Sequence, residues 1–377
     1  MKFTCEREKL LAAFLTASSV APTRSPKPIL QNVKLELTAD AAGSGPSAVL
    51  MATDLEIGIR VEVAGVQVDA PGAAILPKDR MGPILRESSD AVLRIESDGQ
   101  GTTIRGDRSE FRLQAENPDE FPAVAAFEET AYHELPARAF RELVRRTAFA
   151  TDTESSRYAL GGVLLELGED KITGVGTDGR RLAKMEVASK SINGHQSGDQ
   201  MTIVPTKAMQ LIERALGDAD GDVRIAARPN DVLVKSSRVT IYSRLVEGRF
   251  PKWRDVFPAR SLAEQIEMVI GPLYAAVRQA AIFTSEDSRG VEFAFDDGKL
   301  VLSGRAAQVG QSRVEIPVPF ESKALAITLD PRYIIDFLRV LDPEKSFTLE
   351  LKDPESAAVC RTDDGYGYVI MPLARER

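Results

Sequence analysis

The chain has 377 residues, of which 43% are hydrophobic, and a formal net charge of −8 at pH 7. This length exceeds one ordinary core, so two or three domains are expected, and the apolar content excludes general disorder. No apolar run is long enough to span a membrane, and the charged start, MKFTCEREKL, is unlike a signal peptide. We therefore expect a cytoplasmic protein in which the only two cysteines, Cys5 and Cys360, are unpaired.

Amphipathic helices are predicted in pairs along the chain. The first helix of each pair is expected at 6–18, 135–147 and 270–282. The second is expected at 76–87, 205–216 and 331–341, and opens beside a proline, at Pro77, Pro205 and Pro331. The apolar residues of 205–216 recur at intervals of three and four, which places them on one helix face. Pairs of helices at a regular spacing indicate an internal repeat.

Strands and turns between the helices repeat at the same interval. LEIGIRVEV (55–63) alternates apolar and polar residues, which predicts a half-buried antiparallel strand that begins with Leu55. The Thr-Asp pair before it, at Thr53, recurs at Thr177. A Phe-Pro pair ends the last strand of the first two copies, at 121–122 and 250–251, where proline stops a sheet ladder. We predict three copies of one α+β domain, spanning 1–125, 126–254 and 255–377, each with two helices packed on antiparallel sheet.

Charge is distributed unevenly between the predicted helices and the rest of the chain. Basic residues outnumber acidic ones over the helices although the whole chain is acidic. Arg138, Arg141 and Arg145 lie on one face of a single helix because their spacing is three and four. This pattern favours helices that face a polyanion while the strands face away from it.

No sequence signature of catalysis stands in a convincing context. GVGTDG (174–179) fits a dinucleotide-binding pattern, but RRLAKMEV follows it, which predicts a strand where that site needs a helix. The two histidines, His133 and His195, are far apart in sequence and are expected in linker or loop segments, so neither a metal site nor a general base is predicted. No cofactor is expected.

Several motifs together resemble one family. MKFTCEREKLL, KPIL (27–30), ATDLE, VGTDGRRLA, VEGRFPKW, SRGVEF (288–293) and YVIMPL occur in the family's order. The chain resembles the bacterial sliding clamps, the beta subunits of DNA polymerase III, over its full length. The resemblance implies a head-to-tail homodimeric ring of six domains that encircles duplex DNA without reading its sequence. It also implies a non-catalytic processivity factor that binds the polymerase catalytic subunit, the clamp loader and other proteins with a clamp-binding motif.

The resemblance also implies which residues act. The partner-peptide cleft is assigned to Leu160, Thr177, Gly179, Arg181, Leu182, Pro251, Val256, Tyr333, Val369, Ile370, Met371, Pro372 and Leu373. The DNA-facing residues are Arg24, Tyr158 and Lys207, and the dimer interface comprises Phe111 and Leu113 on one edge with Ile282 and Phe283 on the other. We expect a shallow apolar pocket beside Leu182 and Val369, with Arg181 available at its rim to hold a polar group of the partner.

The sequence departs from the family pattern at the rim of this cleft. Asp255 stands where an arginine is common, Arg180 replaces a frequent histidine, and the tail LARER is longer than usual. A protein-only scaffold with merely solvated basic helices is the alternative from another class, and salt-dependent retention on circular DNA would separate the two functions.

Overall fold

A computed structural model describes residues 1–39, 46–152, 159–197, 201–217, 221–257, 263–285, 288–306 and 309–373. The chain forms two compact units. Unit 1 takes Met1–Arg138, Lys190–Gly198 and Arg214–Leu245, and unit 2 takes Ala139–Ser189, Asp199–Glu213 and Val246–Arg377. Strands β1–β26 and helices α1–α7 are numbered in chain order. Among the described residues, no helix has the length and apolar character needed to cross a membrane.

Unit 1 contains two antiparallel sheets. The five-stranded sheet has the order β5-β1-β7-β8-β9 and the nine-stranded sheet the order β14-β10-β16-β17-β18-β4-β3-β2-β6. The strands are β1 Lys2–Glu6, β2 Asn32–Thr38, β3 Ser47–Thr53, β4 Ile57–Glu62, β5 Gln67–Ala70, β6 Gly72–Pro77, β7 Val92–Ser97, β8 Gly101–Arg105, β9 Glu110–Gln114, β10 Tyr132–Pro136, β14 Lys190–Ile192, β16 Asp222–Ala227, β17 Asp231–Lys235 and β18 Val239–Arg244.

Unit 2 also contains two antiparallel sheets. The eight-stranded sheet has the order β15-β11-β12-β13-β26-β25-β24-β19 and the four-stranded sheet the order β22-β21-β20-β23. The strands are β11 Gly162–Leu167, β12 Lys171–Thr177, β13 Arg181–Ala188, β15 Thr202–Pro205, β19 Glu264–Val269, β20 Val291–Asp296, β21 Lys299–Ala306, β22 Gly310–Pro317, β23 Leu325–Leu329, β24 Ser346–Leu351, β25 Ala358–Arg361 and β26 Gly367–Ile370.

All six predicted helices are present, and their apolar faces are buried. They are α1 Arg7–Ser18, α2 Lys78–Glu87, α3 Ala137–Thr147, α4 Thr206–Leu216, α6 Ile270–Ala280 and α7 Pro331–Arg339. In α4, the predicted apolar face is confirmed, since Ala208, Leu211 and Ile212 are all buried. Helices α1 and α2 pack together in unit 1, as α6 and α7 do in unit 2. A seventh, four-residue helix, α5 Trp253–Val256, had no periodic signal in the sequence.

The Thr-Asp turns of the first two repeats have the same hydrogen bonds. In each, the threonine Oγ1 donates to the carbonyl oxygen four residues on, from Thr53 to Ile57 at 2.8 Å and from Thr177 to Arg181 at 2.6 Å. The third residue of each turn has a positive φ, +84° at Gly179 and +78° at Leu55. The prediction that a strand begins with Leu55 is therefore wrong. Leu55 lies in the turn, with 43% of its surface exposed, and β4 begins two residues later.

The four expected interface residues fall in different environments. Phe111 is exposed on β9, an edge strand of its sheet. Leu113 on the same strand is only 8% exposed in the isolated chain, unlike Phe111. Ile282, 70% exposed, and the half-buried Phe283 lie in a 3₁₀ turn after α6 rather than in an edge strand. The edge strand nearest them is β22, which contacts this turn.

Both cysteines are free, as predicted, and both are buried. Burial, with a smaller effect of Glu6, raises the pKa of the Cys5 thiol to about 12. Burial also raises the pKa of Cys360 above its ordinary value. The thiols are therefore kept protonated near neutral pH.

The expectation that both histidines lie in linker or loop segments is wrong for His133, which lies on a strand, and the two rings are close in space although far apart in sequence. His133 on β10 and His195 approach to 2.7 Å between their Nδ1 atoms. The cause is the pairing of β10 with β14, after which the chain turns back so that His195 returns beside His133. His195 Nε2 accepts a hydrogen bond from the Ala227 backbone N–H at 3.1 Å. In the neutral tautomer that fits this hydrogen bond, His195 carries its proton on Nδ1, which faces His133.

This pair makes the stability of unit 1 pH-dependent. Burial is the main cause that lowers the pKa of His195, and His133 lowers it further, against opposing effects of Ala227 and Glu129. The unfolded chain, with an ordinary histidine pKa of about 6.5, therefore binds more protons, and stability falls as pH drops below that value. We expect the unfolding temperature to decline between about pH 7 and pH 5, and to decline less in His195→Gln. Parallel declines in the two proteins would contradict this assignment.

Candidate partner-binding site

The candidate cleft residues gather around the pairing of β13 with β26 in unit 2. Arg181 stands opposite Ile370 and Leu182 opposite Val369 in this antiparallel ladder. Because successive side chains of a strand point to opposite faces, Arg181 and Leu182 lie on opposite faces of the sheet. The predicted cleft residues on these strands therefore lie on one strand pair but are divided between the two faces of the sheet.

One face carries an apolar core. Leu182 and Val369 are 3% and 1% exposed and pack in a cluster with Phe250 and Trp253. The other members are Ala159, Leu164, Val175, Ile203 and Val359. Leu160 is also buried, at 7% exposure. The expected pocket is thus closed at Leu182 and Val369 by the protein's own side chains, so these residues support the site from beneath.

The opposite face is organised by Arg181, whose three side-chain nitrogens are all engaged. Nε donates to Asp178 at 3.0 Å, NH1 to Asp336 at 2.7 Å and NH2 to the carbonyl of Phe149 at 2.9 Å. The guanidinium also lies over the Tyr333 ring, 4.6 Å from its centroid. Burial alone would lower the pKa of Arg181, and the groups around it, first of them Tyr368, raise it above the usual range.

Arg181 is therefore a structural residue of unit 2. Its side chain is only 10% exposed, and its charge is balanced by two acidic neighbours. That Arg181 holds a polar group of a partner stays a prediction; in the free chain its guanidinium is already engaged by Asp178 and Asp336. The neighbouring Arg180, by contrast, is exposed at the tip of the turn.

Thr177 and Gly179 build the turn that precedes β13. The Thr177 hydroxyl accepts from the Gly179 N–H at 3.1 Å, and Asp178 Oδ1 accepts from the N–H groups of Arg180 and Arg181. Gly179 supplies the positive φ that this turn requires. These residues set where β13 begins.

The exposed members of the set are found beyond β26 and in the segment after Phe250. Met371 and Val256 are 44% and 45% exposed, and Pro251 is exposed. Pro372 and Leu373 are half-buried. The backbone of this tail is fixed, because Met371 N donates to Arg180 O at 2.9 Å and Leu373 N to Thr328 O at 2.9 Å. Met371 is thus an exposed apolar residue that is held beside the Thr-Asp turn.

The sequence analysis did not predict the contacts of Trp253 and Arg254, which shortly precede Val256. Trp253 Nε1 donates to Glu166 Oε1 at 3.0 Å, and Arg254 donates to both oxygens of the same carboxylate at 2.9 and 2.7 Å. The stretch GVLLEL contained a signal for them: Glu166 is a charged residue on the same strand face as Leu164 in an otherwise apolar stretch. A carboxylate at such a position indicates a hydrogen-bonding partner.

Two of the three DNA-facing candidates lie in the described residues. Arg24 is exposed in the segment after α1, and Lys207 is exposed in the first turn of α4. Tyr158 falls outside the described ranges. On α3, Arg138 is exposed, while Arg145 is partly balanced by Glu142 at 3.3 Å. Within the same described ranges, no group of three histidine, cysteine or acidic side chains is placed to hold a metal ion.

Comparison with known proteins decides the family. Three family models match in succession: the N-terminal, central and C-terminal domains of the DNA polymerase III beta subunit, over residues 1–125, 134–252 and 254–374. The chain belongs to the DNA polymerase III beta subunit family. The beta sliding clamp of Chlamydia pneumoniae is 30% identical over 375 residues, covering 99% of both chains. That of Pseudomonas putida is 30% identical over 379 residues, covering 99% of this chain and all of the relative.

Solved structures of the family have the same fold. The DNA polymerase III beta subunit of Pseudomonas aeruginosa matches with a TM-score of 0.89 at 27% identity, over 100% of both chains. The sliding clamp of Bartonella birtlesii, solved bound to griselimycin, matches with a TM-score of 0.89 at 25% identity and the same coverage. As a family member, this chain is a DNA sliding clamp, a non-catalytic processivity subunit built from three clamp domains.

Replacing Arg181 should destabilise this clamp. Arg181→Met leaves Asp178 and Asp336, which are 16% and 26% exposed, without their cation. Breaking a buried ion pair from one side costs about 3 kcal/mol. We expect a lower urea midpoint for Arg181→Met, and only partial recovery in Arg181→Lys, because lysine lacks the planar fork. The adjacent exposed Arg180→Met is the matched control and should unfold like the wild type; equal effects at both positions would refute the structural role of Arg181.

Proposed function

We propose that this clamp acts as a homodimeric ring that encircles duplex DNA and holds the DNA polymerase III catalytic subunit on its template. The observation that carries the proposal is the match of three clamp domains, in order, along one chain. Six domains arranged around a ring require two such chains, and the contact between unlike ends repeats until the ring closes. The clamp loader and other proteins with a clamp-binding motif are further proposed partners.

The proposed dimer contact joins the edge strand β9 of one copy to the edge strand β22 of the other. Each edge has unpaired backbone groups in the isolated chain, and pairing them removes an aggregation hazard. Phe111 is exposed on the first edge, and Ile282 and Phe283 lie next to the second. Leu113 contributes from the core beneath its edge rather than through an exposed surface.

The proposed contact with DNA is electrostatic and independent of base sequence. Basic residues concentrate on the helices although the net charge of the chain is −8, so an anion is attracted to some surfaces and repelled from others. Arg24 and Lys207 are exposed, and both are proposed to contact phosphates together with Tyr158. Each phosphate contact adds about 0.9 to the slope of log affinity against log salt. A ring retains DNA topologically, so the individual contacts can stay weak.

The proposed partner is a short extended peptide with leucine and phenylalanine anchors, from the tail of the polymerase. Its docking surface comprises the exposed Val256, Met371 and Pro251 around the Leu182–Val369 core. Methionine suits a surface that accepts several partners, because its unbranched side chain adapts to different shapes. Pro372 and Leu373 follow Met371 and are proposed to extend this surface, whereas Tyr333 and Ile370, on the Arg181 face of the sheet, are proposed to line its other side.

Ring closure has a topological test. Ile282→Ala combined with Phe283→Ala should convert the dimer to monomers, measured by light scattering, because it removes the apolar groups beside the β22 edge. The wild type, loaded on nicked circular DNA by a clamp loader, should be retained until the DNA is linearised. The double variant should not be retained on either form. A variant that stays dimeric would place the interface elsewhere, and retention unaffected by linearisation would contradict encirclement.

Peptide docking has a test that leaves the core intact. Leu182 is unsuitable, because truncating a buried leucine costs about 2–5 kcal/mol of stability by itself. Val256→Glu and Met371→Glu change exposed positions instead, and each should weaken binding of a fluorescein-labelled polymerase-tail peptide about tenfold or more. Val92→Glu, at a residue 50% exposed in unit 1, is the control and should bind normally. Unchanged anisotropy curves for both site variants would place the peptide elsewhere.

A further inference from the structure

The segment Trp253–Phe257, here called the strap, is held to the eight-stranded sheet of unit 2 at both of its ends. It contains α5 and the residue that follows it. Between the two attachments, Asp255 and Val256 are exposed. The position of Val256 therefore depends on the contacts made by its neighbours on either side.

The first attachment is centred on the Glu166 carboxylate. Glu166 lies on β11 two residues after Leu164, so both side chains point toward the face that carries the apolar core. Its two oxygens receive three hydrogen bonds, one from the indole of Trp253 and two from the guanidinium of Arg254. The guanidinium also lies 4.4 Å from the centroid of the Trp253 ring. One carboxylate thus sets the orientation of the first two residues of the strap.

The second attachment is made by Phe257. Its ring lies against Gly367 at the start of β26, where an added Cβ would overlap it. The cations of Arg361 and Lys184 lie 4.5 and 5.9 Å from the ring centroid. The far end of the strap is therefore fixed to the strand that continues into Met371.

We propose that Glu166 is a positioning residue for partner binding: by holding Trp253 and Arg254 it fixes the strap, so that Val256 is in place before a peptide arrives. The inference rests on the proposed peptide-docking function. Its physical basis is pre-organisation, since a surface that is ordered in the free protein loses less conformational freedom on binding. The ion pair itself is too exposed to add much stability, because the Arg254 side chain is 67% exposed. Its effect should therefore appear in binding more than in unfolding.

A second carboxylate in the chain provides a matched control. Glu134 in unit 1 accepts from Arg224 at 3.1 Å, and Arg224 lies over the Tyr132 ring at 5.0 Å. The exposure of its side chain, 28%, is close to the 30% of Glu166. The arrangement of carboxylate, guanidinium and aromatic ring is thus repeated in a place that has no part in the strap.

The test compares Glu166→Ala, Glu166→Gln and Glu134→Ala with the wild type in binding the fluorescein-labelled polymerase-tail peptide. We expect Glu166→Ala to raise Kd about three- to tenfold, which corresponds to ordering one or two additional side chains on binding. Glu166→Gln should recover part of this loss, because its amide oxygen can still accept from Trp253. Glu134→Ala should bind as the wild type does, and melting temperatures identify any variant that does not fold.

Two further readouts separate positioning from a general structural effect. Trp253 is the only tryptophan of the chain, so its emission should shift to the red in peptide-free Glu166→Ala and stay unchanged in Glu134→Ala. If Glu166 acts through Val256, the Kd increase caused by Glu166→Ala should shrink when Val256→Ala is already present.

The outcomes distinguish the inference from the function on which it rests. Wild-type binding with an unchanged Kd for Glu166→Ala, or with additive effects of Glu166→Ala and Val256→Ala, would overturn the positioning role and leave the docking function intact. Failure of the wild type itself to bind the peptide would overturn the docking function, and the inference with it.

Discussion

The antiparallel pairing of β13 with β26 is the interaction on which the rest of unit 2 depends. It joins a strand of the central repeat to the last strand of the chain, with Leu182 opposite Val369. This register puts the apolar core on one side of the sheet and the Arg181 network on the other. A slip of one residue would exchange the two faces and place a guanidinium in the core. The exposed residues that follow β26 owe their position to the same ladder.

Local patterns were sufficient to predict the helices and the repeat. The apolar residues of α4 recur at a spacing of three and four, and the apolar faces of α3 and α4 are buried as such a spacing predicts. Alternation of apolar and polar residues predicted the ends of strands less well. It cannot show that Leu55 lies in a turn, at the position that Gly179 occupies in the second repeat. The family resemblance, carried by motifs along the whole chain, supplied the function.

Features that depend on contacts distant in the sequence could not be predicted. The two histidines meet only because β10 pairs with β14. The acidic partner of Arg181 on α7, Asp336, is 155 positions away along the chain. The strap has no sequence period, because α5 is a single turn whose position is set by Glu166 on another strand. The family resemblance assigned Arg181 to the partner-peptide cleft, and only the folded structure shows that its side chain is 10% exposed and paired with two carboxylates.

The first two repeats differ in the side chains that pack next to the Thr-Asp turn. Gly58 follows the Thr-Asp turn of the first repeat at the place that Leu182 takes in the second, and an added Cβ there would lie 2.9 Å from Val124. Leu182 packs instead in a cluster with Trp253. Val124 and Trp253 both come three residues after the phenylalanine of a Phe-Pro pair. The same backbone arrangement thus accommodates the small pair Gly58 and Val124 in the first repeat and the large pair Leu182 and Trp253 in the second. In the large pair, the indole of Trp253 is the group that hydrogen-bonds to Glu166.

The buried thiols have a practical consequence for labelling chemistry. Only the thiolate form reacts rapidly with maleimides and oxidants, and burial keeps Cys5 and Cys360 protonated and shielded. A cysteine introduced at an exposed site, such as Val92, would therefore be the fast-reacting thiol of the folded protein. Site-specific dyes can be attached on this basis without first removing either native cysteine from the core.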